Sequence, residues 1–248
     1  MIKEFSLSCI IPMYNEEESV EKVIRGADEI FSNIIEDWEI IIIESGSTDR
    51  TWEKVNEQIK DRKNIRAFHQ EKKSGMGSAL KFGYSKCTKD FICHLEADNP
   101  FEMIYFKKAM PILLENDFVI GYRVGTKENL FKWSYLYNGR MSAYIRAAYH
   151  ICYNLLLRLL FGLVVRDVNF SFKIFRRKFL KDIELISNGW FIDAELILAM
   201  RDIGVLPIEI PVEYKDRMVG LSTINLMTPV TIFLEMLEYL RYRKKQRR

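Results

Sequence analysis

The sequence predicts an α/β domain built on a mainly parallel sheet flanked by helices, with amphipathic helices toward the C-terminus. Short apolar runs alternate with segments of helical period, and each early run ends in a loop rich in Ser, Asp, Asn and Gly. The 248 residues are 48% hydrophobic and 13% aromatic, enough for one sizeable core and too apolar for a disordered chain. Leu7 to Ile11 is a strand-like run ended by Pro12, and from Val20 the positions Val23, Ile24, Ala27 and Phe31 recur at helical spacing. Glu39 to Ile43 reads as a strand buried on both faces. Ser45-Gly46-Ser47-Thr48-Asp49 is a turn carrying helix-cap residues, and a helix follows to Ile59. Ile65 to Phe68 is a third strand, Ser78 to Lys86 a helix, and Phe91 to Leu95 a fourth strand. Alternation of this kind implies right-handed crossovers, with ligand-binding loops after Ile11, Ile43 and Leu95 at the carboxyl ends of the strands.

Beyond Gly121 the texture changes. A long aromatic and aliphatic stretch, Leu130 to Val165, precedes a strand from Val205 to Val212 flanked by Pro207 and Pro211. Within residues 147–165 a membrane span is contradicted by Arg146, His150, Asn154 and Arg158, which recur every four residues and form one polar stripe. The expected element is an amphipathic helix that covers the sheet or lies in a bilayer interface. Leu226 to Leu240 is a second such helix, with Pro229 near its start. The expected organisation is one domain over residues 1–225 and a C-terminal amphipathic helix with a basic tail over 226–248.

Charge narrows the partners. Net charge is +3, yet Arg241, Arg243, Lys244, Lys245, Arg247 and Arg248 crowd the last eight positions, and the rest of the chain is slightly acidic. A near-neutral body argues against nucleic acid, whereas a basic terminus suits an anionic membrane surface or is simply solvated. Cys9, Cys87, Cys93 and Cys152 have no ligand spacing, nor do His69, His94 and His150, so zinc is not expected and the thiols are read as reduced and buried. The first residues run directly into a strand without an apolar signal region, which gives a cytoplasmic expectation.

Four ordered motifs carry the chemistry. The first loop is Ile11-Pro12-Met13-Tyr14-Asn15-Glu16, the second Glu44-Ser45-Gly46-Ser47-Thr48-Asp49, and the third Lys73-Ser74-Gly75-Met76-Gly77-Ser78-Ala79; Glu96-Ala97-Asp98 follows the fourth strand. This series resembles glycosyltransferase family 2, the inverting enzymes of GT-A fold that use nucleotide sugars. The resemblance implies a GT-A, Rossmann-like sheet. It also implies a nucleotide-sugar site formed by Pro12, Tyr14, Asn15, Glu16, Glu44, Ser45, Lys73, Gly75, Ala97 and Asp98. Strand-end carboxylates suit this role because they accept hydrogens from a base and from ribose hydroxyls, which makes Glu16 and Glu44 nucleoside clamps. Glu96 and Asp98 occupy the place of the metal-binding D-x-D motif, implying Mg or Mn beside the diphosphate. Here Glu44 and Ser45 replace the paired aspartates of the family, and Glu96 its first metal acid.

The second half contains Gly121-Tyr122-Arg123, Val165-Arg166-Asp167-Val168, Phe172-Lys173-Ile174-Phe175, Gly189-Trp190-Phe191-Ile192-Asp193-Ala194-Glu195-Leu196 and Asp216-Arg217-Met218-Val219-Gly220-Leu221-Ser222. In this order they look like the polyprenyl-phosphate branch of the family, the dolichyl-phosphate mannose and glucose synthases. Phe170-Ser171 and Thr223 depart from that branch's pattern. A lipid phosphate is already an anion and attacks the anomeric carbon without a base, so arginines gain importance. Arg123, Arg217, Ser222 and either Arg140 or Arg146 are the acceptor-phosphate candidates. Asp98, Arg123 and Asp193 are the catalytic candidates.

The expected function is transfer of a hexose from a UDP- or GDP-linked sugar to a polyprenyl phosphate by a peripheral enzyme at the cytoplasmic membrane face. Two alternatives stand beside it. One is a family 2 enzyme with a saccharide hydroxyl acceptor and Asp193 as base; the other is a non-catalytic nucleotide-sugar-binding protein.

Overall fold

The computed structural model describes residues 2–96, 103–124, 143–213 and 227–246. Among them, β1 (Ile2–Met13), α1 (Val20–Ile34), β2 (Ile35–Ser45), α2 (Thr51–Ile59), β3 (Ile65–Gln70), α3 (Met76–Lys86) and β4 (Phe91–His94) form the regular first half. Then come α4 (Met103–Glu115), β5 (Phe118–Val124), α5 (Ala143–Phe161), β6 (Lys173–Arg176), α6 (Ile192–Asp202), β7 (Ile208–Glu213) and α7 (Thr228–Gln246). The strands form a seven-stranded sheet in the order β3-β2-β1-β4-β6-β5-β7. Only β6 among them runs against its neighbours β4 and β5; β7 returns parallel to β5. The mainly parallel sheet expected from the sequence is present, and the reversed β6 is the added feature.

The central strands read as unbroken apolar runs because both faces of the sheet are covered. Cys9, Ile11, Ile40 and Ile42 face a core shared with α1, α2 and α4, while Ile10, Ile41 and Ile43 face a second core shared with α3, α5, α6 and α7. Helix α1 packs by the stripe Val20, Val23, Ile24, Ala27, Phe31, the positions its period predicts. The parallel strands β1, β2, β3 and β4 release their chains at one end of the sheet.

Several boundaries differ from the sequence expectation, each for a physical reason. Strand β1 passes through Pro12 to Met13 because β4 pairs with it only as far as Ile10, leaving residue 12 an open side. The strand expected from Val205 begins at Ile208; it is the sheet's edge, where Pro211 is tolerated opposite Tyr122. Helix α5 stops at Phe161 rather than 165, since Gly162 takes the left-handed conformation (φ +63°) that ends helices. Tyr153, Leu157 and Phe161 point into the core, while Ile151, Leu155, Leu159 and Leu160 are exposed and make an outward apolar face. Cys152 is exposed too, against the expectation of buried thiols, and the other cysteines are buried and free.

Helix α7 continues through Gln246, so Arg241, Arg243, Lys244 and Lys245 are helical instead of forming a tail. Arg243 faces inward, its guanidinium 2.5 Å from the carboxylate of Asp202 and near the rings of Phe161 and Tyr239. Among the described residues no helix is long and apolar enough to cross a membrane.

Candidate functional site

The site is assembled where β1, β2, β3 and β4 release their chains. Asn15 adopts a left-handed conformation (φ +54°), an uncommon state that Asn tolerates, and so turns the chain sharply out of β1. The first two loops are then laced together. Asn15 N–H donates to Ser47 Oγ at 2.9 Å, and Thr48 N–H donates to Asn15 Oδ1 at 2.8 Å. Glu16 N–H donates to Thr51 Oγ1 at 2.8 Å, and Lys54 Nζ donates to the Glu17 carbonyl at 2.7 Å. Asp49 accepts from Thr51 N–H at 3.0 Å and from Glu17 N–H at 3.2 Å. Against the opposing effect of partial burial, the hydrogen bond from the Thr51 hydroxyl and these two backbone bonds hold the Asp49 carboxyl below the usual carboxylate range.

Glu44 and Ser45 behave differently from each other because adjacent strand residues point to opposite faces. Glu44 is 0% exposed: one carboxylate oxygen accepts Ser47 N–H at 2.6 Å and the other pairs with His69 Nδ1. Its carboxylate thus braces the second loop against β3. Ser45 lies on the other face and donates to Gln70 Oε1 at 2.9 Å, an atom that also accepts from Ser74 Oγ at 3.2 Å. The third loop joins through Lys73, whose Nζ lies 3.7 Å from the centre of the Tyr14 ring, a close cation–π contact. Gly75 has φ +91°, and a Cβ there would meet the Asn188 carbonyl oxygen at 2.3 Å. Pro12, Tyr14, Asn15, Glu16, Ser45, Lys73 and Gly75 thus belong to one end of the sheet. Glu16 is half-buried and accepts Ser19 Oγ at 2.6 Å.

Glu96 follows β4 at the same end and is partly buried. Ala97 and Asp98 lie outside the described residues, as do Arg140, Arg217 and Ser222; Arg146 falls within α5, and its side chain is also outside them. Among the described residues no cluster of three or more His, Cys, Asp or Glu could hold a metal ion. The chemistry of Glu96 nonetheless fits: a carboxylate oxygen is the hard donor that Mg or Mn takes.

Two charged pairs flank this end. Arg123, on β5, grips Asp167 with both arms of its guanidinium, Nε to Oδ2 at 2.6 Å and Nη2 to Oδ1 at 2.9 Å, and lies over the Phe170 ring. Asp193, in the first turn of α6, accepts Lys173 Nζ at 2.7 Å; Lys173 is 0% exposed and also donates to the Phe170 carbonyl. His94 Nε2 stands 3.8 Å from Asp193 Oδ1 and has no hydrogen-bond partner among the described residues. Burial pushes the His94 imidazole down to about 4, against the pull of Asp193 and with the push of Lys173, so it is neutral near pH 7. His69, Asp167, Lys173 and His94 were given no role from sequence. Nor does the local pattern signal the burial of Lys173, since in Phe170-Ser171-Phe172-Lys173-Ile174-Phe175 the alternation puts it with Ser171 on what reads as a polar face. A cavity of about 590 Å³ lined by Lys81, Tyr84, Asp90, Arg176, Arg177 and Lys181 lies elsewhere, where β4 starts and β6 ends.

The sheet order, with four parallel strands releasing their loops beside a strand-end acid, defines an α/β domain of the GT-A-like class. The chain belongs to glycosyl transferase family 2, whose family model matches residues 8–184. The sequence expectation of a nucleotide-sugar-dependent glycosyltransferase agrees with that membership. The chain is similar to glycosyltransferase AglD of Haloferax volcanii, 23% identical over 215 residues that cover 85% of this chain and 33% of that protein. It is also similar to dodecaprenyl-phosphate galacturonate synthase of Rhizobium johnstonii, at 22% identity over 98% of this chain and 70% of that one. A third relative is dolichyl-phosphate beta-glucosyltransferase ALG5A of Trichomonas vaginalis, at 26% identity over 85% of this chain and 66% of that one. The chain therefore spans about a third of the length of AglD and about two thirds of the other two relatives. Among solved structures, glucosyl-3-phosphoglycerate synthase of Mycobacterium tuberculosis with Mg²⁺ and UDP superposes with a TM-score of 0.67 at 16% identity, covering 94% of this chain and 79% of that one. Its complex with Mn²⁺, UDP-glucose and phosphoglyceric acid gives 0.64 at 16% identity, covering 95% and 80%. At that identity the likeness is one of fold.

Proposed function

We propose that the chain is an inverting hexosyltransferase that moves a sugar from a UDP- or GDP-linked donor to a polyprenyl phosphate at the cytoplasmic face of a membrane. The observation that carries this choice is the state of Asp193. A hydroxyl acceptor needs a general base, and the acid in question is engaged in a buried ion pair, its Oδ1 accepting the Lys173 ammonium at 2.7 Å, so that oxygen is already taken. A phosphate acceptor needs no such base. The names of two relatives, a dodecaprenyl-phosphate and a dolichyl-phosphate sugar transferase, support the same acceptor class.

In this reading Tyr14, Asn15, Glu16, Ser45, Lys73 and Gly75 receive the nucleotide, with Glu44 bracing the second loop through Ser47 and His69. Glu96 and Asp98, with Ala97 between them, would hold Mg or Mn. When bound, such a cation supplies neutralising charge to the diphosphate leaving group. Arg123, oriented by Asp167, joins Arg217, Ser222 and either Arg140 or Arg146 in presenting the acceptor phosphate for in-line attack. The outward apolar faces of α5 and α7, with the basic last turns of α7, provide a surface suited to an anionic bilayer. Incubation with a panel of nucleotide sugars, Mn²⁺ and a short polyprenyl phosphate tests the reading. A sugar-phosphate lipid product that disappears in Asp98→Ala is expected. Transfer to a saccharide hydroxyl alone, or no transfer from any donor, would refute it.

A further inference from the structure

Helix α7 carries an acid directed at the chain before α6. The Glu235 carboxylate accepts the backbone N–H of Gly189 and, at 3.1 Å, that of Phe191. A Cβ on residue 189 would stand 2.7 Å from Glu235 Oε1, so the glycine leaves the room that the carboxylate fills. The same stretch is gripped from two other helices. Glu195 of α6 accepts Ile186 N–H at 2.6 Å and Ser187 N–H at 2.8 Å. Lys81 of α3 donates to the Ile186 carbonyl at 3.1 Å and to Asn188 Oδ1 at 2.9 Å.

Held in this way, Asn188 and Gly189 turn their carbonyls toward the start of α3. Gly77 N–H donates to the Gly189 carbonyl and Ser78 N–H to the Asn188 carbonyl, each at 3.1 Å. First-turn amides have no partner inside their own helix, and α3 has no side-chain cap, so a distant segment does the capping. Just before this capped turn lies Lys73, stacked on Tyr14. A continuous path of hydrogen bonds therefore runs from the C-terminal helix to the third strand-end loop.

Helix α7 does not need Glu235 merely to stay docked. Ile232, Met236 and Tyr239 are buried in the core, Tyr242 Oη donates to Glu184 at 2.7 Å, and Arg243 pairs with Asp202. We propose that Glu235 is a positioning residue through which the C-terminal helix sets the start of α3, and with it the donor-loop contact between Lys73 and Tyr14. The proposal rests on the reading that the nucleotide binds at these loops.

The test uses the full chain in two measurements. In hydrogen–deuterium exchange without nucleotide, Glu235→Gln should accelerate residues 73–80 and 186–191 about tenfold while β1 and β2 keep their protection. Gly189→Ala, whose methyl group displaces the carboxylate, should give the same pattern, and it stands in should Glu235→Gln fail to fold. Tyr242→Phe, which loosens α7 elsewhere, should leave residues 73–80 unchanged. Residues 73–80 staying within about twofold of wild type in the first two variants, or responding equally to Tyr242→Phe, would overturn the proposal. In the second measurement, UDP with Mn²⁺ should bind Glu235→Gln about tenfold more weakly than wild type; equal affinity would also overturn it. A wild-type chain that binds neither UDP nor GDP would count against the proposed function instead, and exchange alone would then decide the role of Glu235.

Discussion

Lys173 and Asp193 meet at 2.7 Å inside the protein, one 0% and the other 5% exposed, on neighbouring elements β6 and α6. Removing one member of such a pair leaves the other as an uncompensated buried charge, at a cost of about 3–5 kcal/mol. Asp193→Asn is therefore expected to lower the urea midpoint strongly at pH 7, and Lys173→Met to do the same. The double variant Lys173→Met, Asp193→Leu should recover much of the loss, since no lone charge remains. If Asp193→Asn is as stable as wild type, the pair is not the buried contact described. Loss of turnover in this variant counts as evidence for a base only after its folded fraction has been measured.

His94 gives a pH signature. Its folded pKa is pushed to about 4 by burial, with Asp193 opposing and Lys173 assisting, whereas an unfolded histidine titrates near 6.5. Between those values the unfolded chain binds the extra proton, so stability rises with pH across the window and is lost as pH falls through it. Below about pH 4 this group contributes no further slope. Measured against His94→Gln, wild type should lose roughly 3 kcal/mol more stability between pH 6.5 and 4. Parallel curves for the two proteins would show that His94 is not held neutral.

Arg123 and Asp167 form a two-bond fork that lysine cannot reproduce. Arg123→Lys keeps the charge and loses the planar geometry. The expected result is a stability loss of about 1.5–3 kcal/mol, the range for hydrogen bonds to charged groups. A raised KM for the polyprenyl phosphate, with donor KM unchanged, should accompany it. Unaltered stability and an unaltered acceptor KM in this variant would remove Arg123 from both roles.

The parts legible in the sequence are those whose signal is local. The run Ile40 to Ile43 and the stripe Val20, Val23, Ile24, Ala27, Phe31 each state their element and their buried side. The loops after β1 and β2 were recognisable because their short polar side chains bond backbone close by, Asn15 with Ser47 and Thr48, and Asp49 with Thr51 and Glu17. Other features depend on distant partners. Nothing near Lys173 names Asp193, and nothing near Glu44 names His69 as the group that pairs with its carboxylate. The reversal of β6 is equally silent, since Lys173–Arg176 is short and strand direction leaves no mark on its pattern. Helix α4 escaped for a different reason: it is apolar on most sides and contains Pro111, which blurs its period.

Membrane attachment is the most exposed part of the proposed function, and it can be tested without any substrate. On α5 and just beyond it, Leu159 is 72% and Val164 68% exposed; on α7, Val230, Phe233 and Leu234 are exposed as well. Charged substitutions at such positions cost the fold little, since surface changes away from special features usually stay within about 0.5 kcal/mol. They would cost a bilayer-inserted face much more, because burying a carboxylate in the acyl region is strongly unfavourable. Leu159→Glu and Phe233→Glu should therefore keep the melting temperature of wild type and reduce cosedimentation with anionic phospholipid vesicles about tenfold. Raising the salt concentration should weaken wild-type binding only in part, because screening removes the contribution of Lys244 and Lys245 and leaves the apolar one. Binding that survives both substitutions unchanged, or that salt abolishes completely, would reject the apolar faces of α5 and α7 as the site of attachment.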